Sequence, residues 1–150
     1  MPQRRRSGFT LIELMMVIVI MSLLLGMVSS AFFKSRENAK RNRAKTDVET
    51  LAAALWNFRT EYGIWPTEQM SGTKIYGSDN HKAFEYLKQE NEATNPRGVQ
   101  FMNFSEYRHD GHGNLIDPWG IPYVVELSLD EDRGTVSTGP GSKVSAKKYF

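Results

Sequence analysis

Leu14 to Phe33 is a run of twenty residues without a single charge, made mostly of Met, Val, Ile and Leu. As a helix rising 1.5 Å per residue it reaches about 30 Å, the depth of a bilayer's hydrocarbon core. Mean hydropathy over the whole chain is nevertheless −0.46. The remainder is therefore strongly polar, and insertion of the run into a membrane is expected. At 150 residues the chain has room for about one domain beside it.

Three readings compete for residues 1–33. A secretory signal peptide has a basic start, an apolar stretch of about 7–15 residues and a small-residue cleavage site. Ser29-Ser30-Ala31 could serve as that site, but the stretch here is too long. An ordinary membrane anchor fails on Glu13, which sits near the start of an apolar series beginning at Phe9. An uncompensated carboxylate in hydrocarbon costs several kcal/mol. Glu13 at the level of the headgroups is the bland alternative. The third reading gives Glu13 a cation made by proteolysis. Cutting between Gly8 and Phe9 leaves an ammonium on Phe9, and neighbouring packed helices can then bring amine and carboxylate together.

Charge is unevenly placed. Residues 1–33 carry three bases and one acid, residues 34–46 six bases and one acid, and residues 47–150 ten bases against fifteen acids. The chain is a charge dipole despite its net +2. The basic collar from Lys34 to Lys45 invites a nucleic-acid reading, since clustered Lys and Arg neutralise phosphates. Its place directly after the apolar run points instead to anionic headgroups or to acids of a neighbouring subunit. No nucleic-acid partner is expected. Cysteine is absent, which excludes a disulfide framework, a zinc ribbon, a thiol nucleophile and a lipoprotein anchor.

Arg4-Arg5-Arg6-Ser7-Gly8-Phe9-Thr10-Leu11-Ile12-Glu13-Leu14 resembles the processing signature of type IV pilins and their pseudopilin relatives. The resemblance implies that residues 1–8 are a leader, that a prepilin peptidase cuts after Gly8 and methylates the Phe9 amine, and that Glu13 supports assembly into a helical filament. It also implies an N-terminus in the cytoplasm and a C-terminal head in the periplasm. Counting bases alone would keep the Lys34–Lys45 flank inside, so here the resemblance overrules the count.

No proline interrupts residues 9–62, which predicts one long helix: a membrane-spanning and assembly half at 9–33 and an amphipathic half at 34–62. Val48, Leu51, Leu55, Phe58 and Tyr62 recur at spacings of 3 and 4, with Ala52 beside them, and mark a stripe that packs on a sheet. Gly63 and Pro66 end the helix. Residues 63–150 read as a small α+β head. A helix is expected from Asn80 to Gln89 with Ala83, Phe84 and Leu87 inward, capped by Ser78 or Asp79. Strands are expected at 99–104, 122–127 and 135–138, the last two joined by a turn at Asp130 to Gly134, giving an antiparallel sheet of about three strands.

Asp117-Pro118-Trp119-Gly120-Ile121-Pro122-Tyr123 is a turn set by two prolines and a glycine, with Trp119 and Tyr123 available to the core. It resembles an element that opens the sheet in major pseudopilins of type II secretion. Those proteins hold calcium in the loop after the last strand, and calcium takes hard oxygen ligands. Thr138 to Lys143 departs from that pattern by lacking acids, which leaves Asp130 and Asp132 as the calcium candidates and no metal or cofactor expected. His109 and His112 form H-x-x-H with Asp110 and Asp117 near, a pattern open to a transition metal, but the segment is crowded with loop formers and reads as a solvated loop. No nucleophile elbow, phosphate-binding glycine loop or paired-carboxylate site is present in the sequence, so no enzyme is expected.

The expectation is a pilin-like structural subunit of a type II secretion pseudopilus. By resemblance its partners are other copies of itself, prepilin peptidase, an inner-membrane assembly platform and minor pseudopilins. The alternatives are a type IV or competence pilin of a surface fibre and a secreted soluble binding protein beginning at Phe32.

Overall fold

The computed structural model describes residues 8–142 and 146–150, and only the backbone of residues 27–31. The leader arginines, the side chains of Ser29-Ser30-Ala31 and the stretch Lys143 to Ser145 lie outside the described residues. The chain divides into two compact units, Met1–Ala39 and Lys40–Phe150. One helix, α1 (Leu11–Tyr62), contributes to both, close to the expected span.

In the first unit the described side chains from Leu11 to Leu25 are exposed on every face, and among the large apolar ones Val17 is the least exposed at 41% and Leu11 the most at 78%. A helix that is apolar all round is built for a non-aqueous surrounding or for other helices. No helix among the described residues is long and apolar enough to cross a membrane.

In the second unit the predicted stripe is the core. Val48, Leu51, Leu55 and Phe58 are buried together with Tyr76, Leu115, Tyr123, Val125, Leu127 and Val136. The helix stops where Gly63 turns left-handed at φ +72, its N–H returning to the Arg59 carbonyl at 2.9 Å. Only glycine takes that conformation without strain.

The expected α+β arrangement is present, with more strands than expected. Strands β1 (Thr73–Tyr76), β4 (Val124–Ser128), β5 (Arg133–Ser137) and β6 (Lys147–Tyr149) form a four-stranded antiparallel sheet in the order β1-β4-β5-β6. A two-residue pair, β2 (Arg108–His109) with β3 (Leu115–Ile116), stands apart from it. Along β4, Val125 and Leu127 are buried while Val124, Glu126 and Ser128 are half-buried, the alternation of a sheet with one face on the core. The hairpin turn occupies residues 129–132 rather than 130–134, with Asp132 at φ +47.

Two expectations fail. Residues 99–103 form no strand, and Phe104–Glu106 is a single 3-10 turn. Asparagines take over the backbone there. Fully buried Asn95 accepts from the Val99 N–H and donates to the Val99 and Lys88 carbonyls, and Asn103 accepts from the Ser105 N–H. A backbone satisfied by side chains needs no ladder. Helix α2 (His81–Glu85) is also shorter than expected. Its cap position is Asn80, not Ser78 or Asp79, and the Asn80 side chain is spent elsewhere. It donates to the Leu115 and Tyr123 carbonyls at 2.9 and 2.8 Å and accepts from the Leu115 N–H at 2.9 Å.

Candidate functional site

The N-terminal segment is organised by Thr10 and Glu13. Gly8, Phe9 and Thr10 precede the first helical turn and are exposed, so the Gly8–Phe9 peptide lies outside the helix. Thr10 donates from its N–H and its hydroxyl to Glu13 Oε2 at 2.9 and 2.7 Å, and accepts the Glu13 N–H on Oγ1 at 3.3 Å. This is a reciprocal capping box, worth about 1 kcal/mol of helix stability. The sequence reading of Glu13 missed Thr10, although the Thr-x-x-Glu spacing ahead of an apolar run is its signature.

The second site joins the Asp117 turn to two distant segments. Asp117 is fully buried. Its Oδ1 accepts the N–H groups of Trp119 and Ile121, both at 2.9 Å, and its Oδ2 accepts the Ser142 hydroxyl at 2.5 Å. The turn closes through Gly120 N–H to the Asp117 carbonyl at 3.0 Å, with Gly120 at φ +90. Pro118 supplies a fixed φ to the same turn. Tyr123, at the end of the element, is fully buried, and its hydroxyl donates to Asp47 Oδ2 on α1 at 2.9 Å. Burial pushes the Tyr123 hydroxyl well above the ordinary phenol range, and the neighbouring Asp47 charge adds to it. Burial likewise raises the Asp47 carboxyl, opposed by the Tyr123 hydrogen bond and by Arg43.

The calcium candidates are separated in role. Asp130 accepts the Gly72 N–H at 3.1 Å, tying the hairpin turn to the start of β1. Asp132 pairs with Arg59 near the end of α1 at 2.8 Å. The two histidines belong to a turn organised by Asp110, which accepts N–H groups of His112 and Asn114 at 2.8 and 2.9 Å. The Asn114 side-chain amide, first, and these backbone donors hold the Asp110 carboxyl below its usual range. His109 faces the carbonyls of Gly113 and Phe104. Among the described residues no three of His, Asp and Glu are grouped to hold one metal ion.

Residues 3–29 match the family model for the prokaryotic N-terminal methylation motif. Type II secretion system core protein G of Aeromonas hydrophila is 29% identical over 149 residues, covering 90% of this chain and 91% of that protein. The protein of the same name from Pseudomonas aeruginosa is 32% identical over 126 residues, covering 82% and 75%. That from Vibrio cholerae is 28% identical over 135 residues, covering 89% and 77%. No solved structure matches the chain at a significant level. With the methylation motif at one end and such similarity along most of its length, this chain belongs to the type II secretion system core protein G family, the pseudopilins.

Proposed function

We propose that the chain is a structural subunit of a periplasmic pseudopilus and acts by assembly, catalysing no reaction. In this reading it is held in the inner membrane by residues 9–33 with its head in the periplasm. Prepilin peptidase removes Met1 to Gly8 and methylates the Phe9 amine. An inner-membrane assembly platform then draws subunits into a filament that contains minor pseudopilins as well as copies of this chain. Glu13 meets the Phe9 ammonium of a neighbour and sets the register of the packed helices.

The observation that carries the reading is the pairing of an exposed, non-helical Gly8-Phe9-Thr10 segment with an apolar helix whose first turn holds a carboxylate. A peptidase needs the first, and register-specific packing in hydrocarbon uses the second. Cleavage leaves Thr10 as the second residue with its amide intact, so the capping box persists in the mature chain. Mass spectrometry of the protein purified from its own membranes tests the proposal. A mature chain beginning at methylated Phe9 is expected, and one beginning at Phe32 overturns it in favour of an ordinary signal peptide.

A further inference from the structure

The described residues of the loop that follows β5, 138–142 and 146, are held by protein atoms. The Thr138 N–H donates to the Ala146 carbonyl at 3.0 Å, and the Ala146 N–H returns to Thr138 Oγ1 at 3.1 Å. Between them, the Ser142 N–H donates to the Gly139 carbonyl at 3.1 Å while the Ser142 hydroxyl reaches Asp117 Oδ2. Gly139 is buried and lies directly on the Asp117 element. A Cβ at this position would stand 2.4 Å from the Pro122 carbonyl oxygen and 2.9 Å from Ile121 Cγ2. The two segments therefore touch backbone to backbone, and the Ser142 hydroxyl is a polar link between them.

Calcium is held by carboxylate, carbonyl and water oxygens, and the count of charged ligands sets its affinity. From Gly134 to Phe150 there is no Asp or Glu and there are three lysines. The one buried carboxylate at hand, Asp117, already accepts two backbone N–H groups and a hydroxyl. We infer that the Ser142–Asp117 hydrogen bond does in this chain what a bound calcium ion would do, fastening the loop between β5 and β6 to the Asp117 turn, so that the head is indifferent to divalent cations. The inference rests on hydrogen bonds within the head and stands or falls apart from the filament reading.

Thermal unfolding of the full-length protein in detergent, followed by tryptophan fluorescence with calcium or with EDTA, tests it. The two curves of the unaltered protein are expected to coincide. Ser142→Ala is expected to lower Tm by ~5 °C in both media. Ser142→Thr, which keeps the hydroxyl, is expected to stay within ~2 °C of the parent. Trypsin cleavage at Lys143 to Lys148 should be several-fold faster in Ser142→Ala, equally with calcium and with EDTA. If EDTA lowers the Tm of the unaltered protein, a metal holds the loop and the inference is wrong. If Ser142→Ala leaves Tm and cleavage unchanged, or the Thr variant is as labile as the Ala variant, the hydroxyl is not the fastener. Should the Ala variant fail to fold, the calcium and EDTA curves of the unaltered protein still decide the cation claim, and the Thr variant the hydroxyl claim.

Discussion

Replacing Tyr123 by Phe removes one oxygen and leaves the buried ring in place, so no cavity term enters. The hydroxyl is the donor to Asp47 at 2.9 Å. The Asp47 side chain is 14% exposed, and its cationic partner, Arg43, is 3.8 Å away and itself 55% exposed. A hydrogen bond to a charged group is worth about 1.5–3 kcal/mol. Arg43 and residual water partly replace it, which places the expected loss near 2 kcal/mol at neutral pH, or roughly 8 °C in Tm for a unit of this size. The pH dependence identifies the cause. Burial raises the Asp47 carboxyl, so the folded head binds that proton more tightly than the unfolded chain does. The contribution of this group to stability is therefore fully present at low pH and falls as pH rises through its raised range. Without the tyrosine donor the charged form is worse still. The cost of Tyr123→Phe should then shrink to about 1 kcal/mol, that of a neutral hydrogen bond, as Asp47 protonates. Thermal melts in detergent from pH ~7 to pH ~4, repeated in an Asp47→Ala background, measure both effects. A loss that does not change with pH, or that persists undiminished without Asp47, would refute the reasoning.

Three further substitutions bear on other parts of the chain. Glu13→Leu should leave membrane insertion intact and reduce incorporation into filaments, read by membrane fractionation alongside recovery of assembled subunits; undiminished incorporation would count against the ammonium pairing. Gly134→Ala places a Cβ 2.4 and 2.5 Å from two ring carbons of Phe150. The ring must leave its edge contact with Trp65 at 5.6 Å, at an expected 1–2 kcal/mol. In a Phe150→Ala background the same change should cost under ~0.5 kcal/mol. Asn80→Ala removes the partner of the Leu115 N–H and of the Tyr123 carbonyl and leaves the Leu115 carbonyl with the Tyr123 N–H alone, and should cost ~3 kcal/mol. Faster hydrogen exchange at the Leu115 amide would locate the damage there.

The long helix was readable because its signals are local and redundant: a stripe of Val48, Leu51, Leu55 and Phe58, no proline, and a glycine at the one position that turns left-handed. Strands β4 and β5 were readable for the same reason, within two residues at most ends. The sheet edges were not. In β1 the apolar Ile75 is 58% exposed while the neighbouring Tyr76 is buried, and β6 is Lys147-Lys148-Tyr149 with all three exposed. Both are held by ladder bonds to a partner strand, which side-chain pattern does not encode. The opposite error occurred at 99–104, where a strand-like pattern yielded to asparagine side chains that occupy the backbone. Among site residues, Thr10 was legible as half of a capping box. Ser142 was not, because its partner Asp117 lies 25 positions away and only the fold brings them together.

The capping box sharpens what Glu13 demands of its surroundings. Three hydrogen bonds with Thr10 and the positive end of the helix meet much of the bonding need of a carboxylate near hydrocarbon, which is the part of the cost that an unmade bond would impose. They leave its charge uncompensated, because every donor there is neutral. A hydroxyl and an amide can hold Glu13 in a single chain, then, but only a cation relieves the remaining Coulombic cost. If residues 1–8 are removed as proposed, the three arginines go with them, and the new Phe9 amine is then the only positive group in the sequence from Phe9 to Phe33. Two oxygens per carboxylate allow the Thr10 bonds and a neighbour's ammonium to coexist. On that geometry, removing Thr10 alone should weaken the helix start without abolishing assembly, whereas removing the Glu13 charge should abolish the register preference and spare the helix.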